Sequence, residues 1–458
     1  MQDHVTRASR VHAPYPFESV FARALTPFEN FLRSTGSGGV LLMATAVLTL
    51  IIANSALGHA VHEFWEQPAS LRVGSWSVQL SIHHLINDGL MAVFFLLVGL
   101  ELKREFMVGE LASLRAALLP VIAAVGGMAV PAAIYLAFNG GDATAARGWG
   151  IPMGTDIAFA VGVLVLLGNR VPRALLVFLT ALAIADDLGA VLVIALFYTA
   201  NINSYALAAM ALLGIVMLLA NRAGLRHPSI WLLLGAALWY ATYLSGIHAT
   251  LAGILLAAAL PVRPRVKPLT YVSAVERRLA EFRAHATDQS TPSDTFSSHD
   301  MAHIAFRVEG ITRAAQSPLQ RTEAALAPWV SFVVLPLFAF ANAGVHLSAA
   351  TLEQGLLHPV TLGVACGLLF GKFAGISLAC WLAVRLRIAE LPPGVNWPQL
   401  LGVAWLAGIG FTMALFIAQL AFSDPELIDR AKLGILSASF VAAPIGVLWL
   451  IATTPKAQ

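Results

Sequence analysis

Residues 174–198 read ALLVFLTALAIADDLGAVLVIALFY, an apolar run broken at its centre by two adjacent aspartates. A run of this length spans the hydrocarbon core of a bilayer, which is ~30 Å thick and needs about 20 helical residues. Asp186 stands twelve residues from the start of the run, about 18 Å along a helix and therefore near the middle of the membrane. Adjacent positions point about 100° apart on a helix, so we expect different roles for Asp186 and Asp187.

Ionised side chains at this depth are a second feature of the chain. An ionised group near the bilayer centre costs at least ~2.5 to 3.5 kcal/mol, so such residues are rare unless they function or are paired. Within apolar runs the sequence places Asp156, Asp186, Asp187 and Lys372. Three carboxylates against one lysine leave a negative excess that bound cations or protons would cancel. The alternative is that the four groups only neutralise one another and fix the packing of a bundle.

Composition agrees with a protein that lies mainly in lipid. Of its 458 residues, 58% are hydrophobic and 12% charged, and the mean hydropathy is +0.77, whereas soluble chains carry roughly 25% charged residues. We predict an all-α polytopic membrane protein with about 12 transmembrane helices. The predicted spans are 38–57, 85–102, 116–138, 149–168, 174–198, 204–221, 228–244, 247–260, 328–345, 359–384, 398–421 and 433–453.

Basic residues give the predicted orientation. When loops are assigned to alternate sides, 23 of the 28 Lys and Arg fall on one side and four on the other, with Lys372 inside a span. The positive-inside rule then puts both termini in the cytoplasm of a bacterial inner membrane. A net charge of +3 and a pI near 9.0 are explained by these loops, so we expect no nucleic-acid partner. No cleaved signal peptide is expected in the first 37 residues.

Two connections are long enough to hold structure of their own. Alternating apolar residues over 70–80, around Gly74 and Ser75, predict a short periplasmic β-hairpin. Residues 261–327 form the longest cytoplasmic connection and include a Ser/Thr/Asp-rich stretch near 287–300. Because that stretch is too polar to pack, we predict a partly mobile loop with one short helix near 271–284.

Two spans carry helix-breaking residues. Pro152 and Gly154 leave backbone groups without helical partners just before Asp156, and Gly408 and Gly410 do so in the span 398–421. The stretch 408–416 loosely echoes 154–159. Inverted repeats with two interrupted helices crossing at the midplane are the architecture by which secondary transporters hold an ion, and we predict that arrangement here. Cys366 and Cys380 show no metal-ligand or redox spacing, and no cofactor is expected.

A series of motifs then occurs in order along the chain. They are 86–95 (INDGLMAVFF), 99–105 (GLELKRE), 155–160 (TDIAFA), 186–190 (DDLGA), 246–253 (GIHATLAG), 335–344 (LPLFAFANAG), 371–372 (GK) and 408–412 (GIGFT). Through them the chain, from about 36 to 453, resembles the NhaA family of bacterial sodium/proton antiporters. The resemblance implies a homodimer in the membrane, joined partly through the outer hairpin.

The resemblance also assigns roles to single residues. It implies that Asp187 and Asp156, with Thr155, hold Na+, and that Asp186 pairs with Lys372. It further implies roles at the cytoplasmic entrance and in the response to pH for Glu101, Lys103, Arg104, Glu105, Glu323, His248 and Asp88. The chain departs from the family around Glu323, where Ala324 and Ala327 replace nearby histidines and the preceding loop is longer.

We therefore divide the chain into two groups of helices. Residues 116–203 and 359–453 form the predicted ion-transporting core, and residues 38–115 and 204–346 the predicted interface helices. A cytoplasmic N-terminal arm covers 1–37, and a cytoplasmic tail covers 454–458.

Ion exchange follows from the predicted site. Sodium prefers carboxylate, carbonyl and hydroxyl oxygens, and either Na+ or a proton satisfies a buried carboxylate. If the empty charged site cannot cross the membrane, the protein exchanges one ion for the other. We expect a transporter that expels Na+ or Li+, is driven by more than one proton per Na+ and is regulated by pH.

Three other classes of membrane protein are alternatives to an antiporter. A sodium-coupled organic-anion symporter would need a wide cavity and no Asp-Asp pair beside a buried lysine. An intramembrane aspartyl protease needs two carboxylates that face each other from separate helices, so no enzymatic activity is expected. A passive channel is disfavoured because carboxylates that bind tightly slow ion release.

Overall fold

The computed structural model describes residues 36–73, 76–199, 202–287, 299–346 and 355–454. Most of the predicted N-terminal arm, the Gly74–Ser75 turn, residues 288–298 of the polar stretch and most of the predicted tail lie outside these ranges.

The described chain is a bundle of helices with one pair of strands. The α-helices are α1 (Ser37–Ala53), α2 (Gly58–Glu66), α3 (Ile82–Val108), α4 (Leu114–Asn139), α5 (Ile157–Leu166), α6 (Arg173–Phe197), α7 (Ser204–Arg222), α8 (Pro228–Leu244), α9 (Leu251–Ala259), α10 (Pro268–Thr287), α11 (His299–Ala315), α12 (Pro318–Asn342), α13 (Pro359–Arg385), α14 (Trp397–Leu406), α15 (Phe411–Ala421) and α16 (Pro425–Thr453). One short helix, Ala143–Ala146, and three 3-10 turns, Glu110–Ala112, Arg147–Met153 and Gly168–Arg170, connect them. Three of the long helices contain a π-helical turn, at Leu85–Leu90, Val330–Val334 and Gly367–Gly371.

The described helices that could cross a membrane are fewer than the twelve predicted from the sequence. In the described part of the chain, eight helices are long and apolar enough to cross a membrane, or up to ten if each of two bent pairs is one span. These pairs are α1 with α2, bent by 108°, and α14 with α15, bent by 46°. The predicted spans 228–244 and 247–260 correspond to shorter helices, α8 and α9, of 17 and 9 residues. The chain is thus a polytopic helical membrane protein, and the number twelve stays a prediction.

A two-stranded antiparallel ribbon lies where the alternating pattern predicted one. Strand β1 (Pro68–Val73) pairs with β2 (Trp76–Ser81), with Val73 opposite Trp76 and Pro68 opposite Ser81. This register leaves two residues for the connection, a common length for a tight hairpin turn. Its periplasmic location stays a prediction.

The predicted loop over 261–327, with one short helix near 271–284, contains more helix than expected in its described residues. The short helix expected near 271–284 is the 20-residue α10, which packs against the 17-residue α11. Ion pairs one helical turn apart, such as Arg278 with Glu281, stabilise such polar helices. The next helix, α12, starts at Pro318 rather than 328, where the Ser317 hydroxyl accepts a hydrogen bond from the Gln320 amide. The polar composition of this segment led to a prediction with too little helix, although the spacing of its charged residues favours helices.

Close packing of α4 on α13 positions the deepest charges. A Cβ added to Gly375 would lie 2.2 Å from the carbonyl oxygen of Gly126, so only glycine allows the two backbones to approach this closely. Such small-residue contacts are the usual way in which membrane helices pack without a hydrophobic driving force. Lys372 lies one helical turn from Gly375 on α13, and this contact therefore fixes its height and direction.

We predict that Gly375→Val lowers the melting temperature of the detergent-solubilised protein. Forcing side-chain atoms into a packed interface costs typically 1–3 kcal/mol, and here the obstacle is backbone, which cannot move aside. Gly214→Val on α7 is the control, because no atom outside that helix turn lies within 4 Å of a Cβ at that position. Equal melting temperatures for the two variants would contradict the proposed packing.

Candidate functional site

The first interrupted helix ends in an extended segment at Gly154. The 3-10 helix Arg147–Met153 leads into residues 154–156, and α5 begins at Ile157. Asp156 takes the N-cap position of α5, where its Oδ1 accepts a hydrogen bond of 3.0 Å from the Phe159 amide. Pro152, which has no amide hydrogen, lies in the segment before the break. The break therefore occurs where the sequence predicted it.

The second interrupted helix is the α14–α15 pair. Helix α14 ends at Leu406 and α15 begins at Phe411, with a bend of 46° between them. The close approach of neighbouring elements requires glycine here: a Cβ on Gly408 would lie 2.7 Å from the Leu368 carbonyl oxygen, and one on Gly410 would lie 2.7 Å from the Leu368 side chain.

The two breaks meet and are joined by hydrogen bonds. The amide of Asp156 donates to the Ile409 carbonyl over 2.8 Å. The amide and hydroxyl of Thr412 both donate to Asp156 Oδ2, over 3.0 and 2.6 Å. The carboxylate of Asp156 thus faces the N-termini of α5 and α15 at once, and a negative charge stabilises both ends of the paired helices. Backbone groups freed by one interruption are satisfied by the other, as burial in lipid requires.

An ion pair lies beside the crossing. Lys372 of α13 donates from Nζ to Asp186 Oδ2 on α6, and both side chains are essentially unexposed. Thr155 Oγ1 lies 2.7 Å from the same oxygen and 3.0 Å from the Ala407 carbonyl. Its single hydroxyl proton serves one of these acceptors at a time. Thr155 therefore links the ion pair to the second interrupted helix.

Asp187 is the carboxylate without a protein donor. It is fully buried, and neither oxygen accepts a hydrogen bond from any described residue. The charges that act on it most directly belong to Asp186, Asp156, Lys372 and Glu101. Three of these four neighbours carry negative charge when ionised. An isolated carboxylate in this position is strongly unfavourable, so Asp187 requires a proton or a metal cation.

Two cavities approach this centre along α6. One of about 470 Å³ is lined by Glu105, Ser113, Thr180 and Ala181, among others. Its deepest contact on α6, Ala181, lies five residues from Asp186, a distance of about 7.5 Å along the helix. The carboxylates themselves are no more than 2% exposed. In this structure the centre is closed, with a cavity ending about one and a half helical turns away.

A cluster of charges lies near the Glu105 side of that cavity. Arg104 forms ion pairs with Glu323 of α12 and, over 3.0 Å, with Glu105. The charges of Glu323, Arg104 and Glu105 act on Glu101, and Glu101 acts in turn on Asp187. Four of the residues implied by the family resemblance, Glu101, Arg104, Glu105 and Glu323, therefore interact electrostatically, and Glu101 links them to Asp187.

Lys103 lies apart from this group. Its ammonium donates hydrogen bonds to the carbonyls of Ala257, Ala258 and Leu260 over 3.2, 2.6 and 2.6 Å. These carbonyls end α9, and a lysine at a helix C-terminus satisfies them and opposes the helix dipole. The structure gives Lys103 this capping contact.

The two residues implied on the outer side also lie away from the buried aspartates. His248 contacts the Tyr198 carbonyl through Nε2 at 2.8 Å. Asp88 forms an ion pair of 2.9 Å with His84 one helical turn away. His248 and Asp88 are electrostatic neighbours of each other. They form a second polar region, distinct from the group around Arg104.

Sequence reasoning missed a buried amide network around Asn342. Its side chain donates to Asn87 over 2.8 Å and accepts from Gln419 over 3.1 Å, and His83 lies 3.1 Å from the same oxygen. The network joins α3, α12 and α15. Asn87 and Asn342 are both in motifs quoted above, but a lone amide gave no reason to connect them.

Thr412 was also missed as a site residue, although it is bonded to Asp156. The signal was present, since Thr412 lies two residues after Gly410 as Asp156 lies two residues after Gly154. Between Thr412 and Gln419 on α15 lies Phe416, whose ring contacts those of Phe95 and Phe338 at centroid distances of 5.4 and 6.3 Å. An aromatic layer therefore separates the Asp156 contact from the amide network.

Comparisons with known proteins agree with the sequence resemblance. The model of the family described as Na+/H+ antiporter 1 matches residues 29–450. The chain is 56% identical to the Na+/H+ antiporter NhaA of Syntrophobacter fumaroxidans, over 95% of this chain and 92% of that protein. Identity is 55% to the protein of that name in Acidithiobacillus ferrooxidans (94% and 98% covered) and 48% to one in Escherichia coli (92% and 97%). The resemblance inferred from the motifs is confirmed.

We predict that Lys372→Ala destabilises the protein by roughly 3–5 kcal/mol, the usual cost of leaving one partner of a buried ion pair charged and alone. The measurement is thermal unfolding in detergent. Lys372→Met combined with Asp186→Asn should recover much of the loss, because no unpaired charge remains. Arg313→Ala is the control, since Arg313 and Glu309 form an exposed ion pair on α11 and exposed pairs contribute ~0–1 kcal/mol. A Lys372→Ala variant as stable as this control would contradict the pairing.

Proposed function

The chain belongs to the Na+/H+ antiporter 1 family, and from that premise we propose that it expels cytoplasmic Na+ or Li+ in exchange for external protons. This is transport without chemical conversion of a substrate. The observation that carries the proposal is Asp187, a buried carboxylate that has no donor among the described residues and lies beside two further aspartates. A proton or a dehydrated Na+ satisfies the same oxygens, and each excludes the other.

Asp187 is the residue that we assign to the alternate binding of Na+ and a proton. Asp186 Oδ1 also has no described partner, so one oxygen of each adjacent carboxylate is available. Thr155 supplies a hydroxyl oxygen near Asp186. These are the hard oxygen ligands that a small cation prefers. Asp156 already accepts three hydrogen bonds, and we propose that it contributes mainly by holding the two broken helices together.

The Lys372–Asp186 pair gives a reason for more than one proton per Na+. When a cation binds Asp186 and Asp187, its charge repels the ammonium of Lys372 and competes for Asp186 Oδ2. Loss of a proton from Lys372 would relieve that repulsion. Two protonated groups then respond to one Na+, and exchange would carry net charge across the membrane. A transmembrane potential would therefore drive it.

Alternating access needs a barrier on each side of the site. On one side the cavity beside Glu105 ends at Ala181. On the other, the layer of Phe95, Phe338 and Phe416 separates the site from the amide network. We propose that ions leave outward past this layer when the crossing helices move against α3 and α12. Extended segments at the crossing contain few intrahelical bonds that such a movement would break.

We further propose that the group around Arg104 adjusts this movement to cytoplasmic pH. Arg104 joins α3 to α12 through Glu323, and Glu101 interacts electrostatically with both residues of that contact and with Asp187. Protonation of the glutamates would weaken the helix-to-helix contact and change the field at the site. His248 and Asp88 are proposed to respond on the outer side.

The membrane arrangement is proposed on the same basis. Both termini lie in the cytoplasm of a bacterial inner membrane, as the distribution of Lys and Arg predicts. We propose a homodimer in which the hairpins of two copies pair. The inverted relation of the two broken helices and the division into core and interface helices belong to this proposal.

We predict that everted vesicles containing the protein lose a preformed pH gradient when Na+ or Li+ is added, and that Asp187→Asn abolishes this response. Removing the carboxylate removes both the cation ligand and the proton carrier. The readout is a fluorescent pH-gradient probe, with protein amounts matched by immunoblot. Asp300→Asn is the control, because Asp300 is exposed in the first turn of α11 and should respond as the wild type does. An unchanged response in Asp187→Asn would refute the site assignment.

A further inference from the structure

The larger of the two cavities along α6 has no role in the exchange described above. It has a volume of about 570 Å³ and lies between α4, α6 and the turn that follows α13. Its apolar wall is formed mainly by Leu119, Pro120, Val177 and Phe178. Two arginines, Arg115 and Arg387, and one carboxylate, Glu390, also line it. The lining therefore carries one net positive charge against an apolar wall.

Arg387 is held there at a conformational cost. Its φ is +57°, and it is the one non-glycine residue with positive φ among those described. Hydrogen bonds from the Arg387 amide to the Val384 carbonyl and from the Ile388 amide to the Ala383 carbonyl form a Schellman motif at the end of α13. Glycine is the usual residue at this left-handed position, because a Cβ is disfavoured by about 1 kcal/mol. The position suits glycine, yet the chain has arginine.

The arginines have no ionic partner in the described part of the chain. Neither guanidinium is within ion-pair distance of Glu390 or of any other described carboxylate. Arg115 lies in the first turn of α4, and Arg387 faces the same cavity from the end of α13. Two arginines that line one cavity from different elements are suited to a phosphate, which accepts paired hydrogen bonds from arginine.

We propose that this cavity binds the headgroup of an anionic phospholipid, with its phosphate between Arg115 and Arg387. Basic pockets between membrane helices near the lipid surface are typical sites for such headgroups. The apolar wall of Leu119, Val177 and Phe178 gives a lipid, but not free phosphate, a surface for its acyl chain. The conformational cost at Arg387 is offset when its side chain contacts the phosphate.

Binding of a headgroup in this cavity would affect the exchange site through α6. Val177 and Ala181 line both this cavity and the one that ends below Asp186. A bound headgroup would therefore restrain Val177 and Ala181, which form part of the wall of the second cavity, the one that Glu105 lines. Lipid binding presupposes only that the chain lies in a membrane, as proposed above, and it can fail while sodium/proton exchange holds.

The test is thermal unfolding of the full-length protein in mixed micelles of phosphatidylcholine and increasing phosphatidylglycerol, followed by tryptophan fluorescence. We expect the wild-type melting temperature to rise and saturate with phosphatidylglycerol. Arg387→Gly should be at least as stable as the wild type in phosphatidylcholine alone, because it relieves the left-handed strain. It should need at least roughly tenfold more phosphatidylglycerol for half of the rise, because a charge-assisted hydrogen bond to the phosphate is lost.

Arg115→Gln provides a second variant and should weaken the lipid response similarly. Arg385→Gln is the matched control, because Arg385 lies two residues away on α13 but does not line the cavity, and its response should equal that of the wild type. Three results would overturn the proposal: no rise with phosphatidylglycerol, an equal loss in Arg385→Gln, or the full rise with inorganic phosphate in phosphatidylcholine micelles.

Discussion

The structure depends on one constraint: Lys372 supplies a single positive charge to a buried region that holds three carboxylates. Lys372 contacts Asp186, and the helix N-termini at the crossing stabilise Asp156. Asp187 is left without a comparable partner. The free energy of that arrangement is acceptable only when a proton or a cation is present, because an uncompensated charge in this setting costs several kcal/mol. Exchange is the functional consequence of that requirement.

The broken helices follow from the same constraint. A continuous helix would satisfy its own amides and leave none for Asp156. By breaking at Gly154 and again at Gly408, the chain presents two helix N-termini to one carboxylate, and the carbonyl of Ala407 reaches Thr155. The glycine contact between α4 and α13 then fixes Lys372 at the height of this crossing. The two helix breaks and the contact between α4 and α13 therefore all help to stabilise charged groups where water is excluded.

Much of the site could be predicted because charged residues that interrupt apolar runs can be recognised in the sequence. Asp186 and Asp187 fall in the middle of an apolar run, and Pro152 with Gly154 marks the first break. Other contacts depend on how helices meet, which spacing alone does not reveal. Asn342 is uncharged and has ordinary neighbours, so its contact with Asn87 appears only in three dimensions. Lys103 was placed at the entrance by resemblance, yet it caps α9. Helix α10 was expected to be shorter and α11 was not predicted, because polar composition was given more weight than charge spacing.

The central claim is that Na+ and protons compete for the buried carboxylates, and it is tested most directly by counting protons released as Na+ binds. Purified protein would be titrated with NaCl by calorimetry in buffers that differ in ionisation enthalpy, from acid to alkaline pH. We predict that Na+ binding releases protons, that its affinity falls as pH falls, and that Asp187→Asn shows no binding heat. Sodium binding with the same affinity at every pH, and with no proton released in any buffer, would contradict the mechanism.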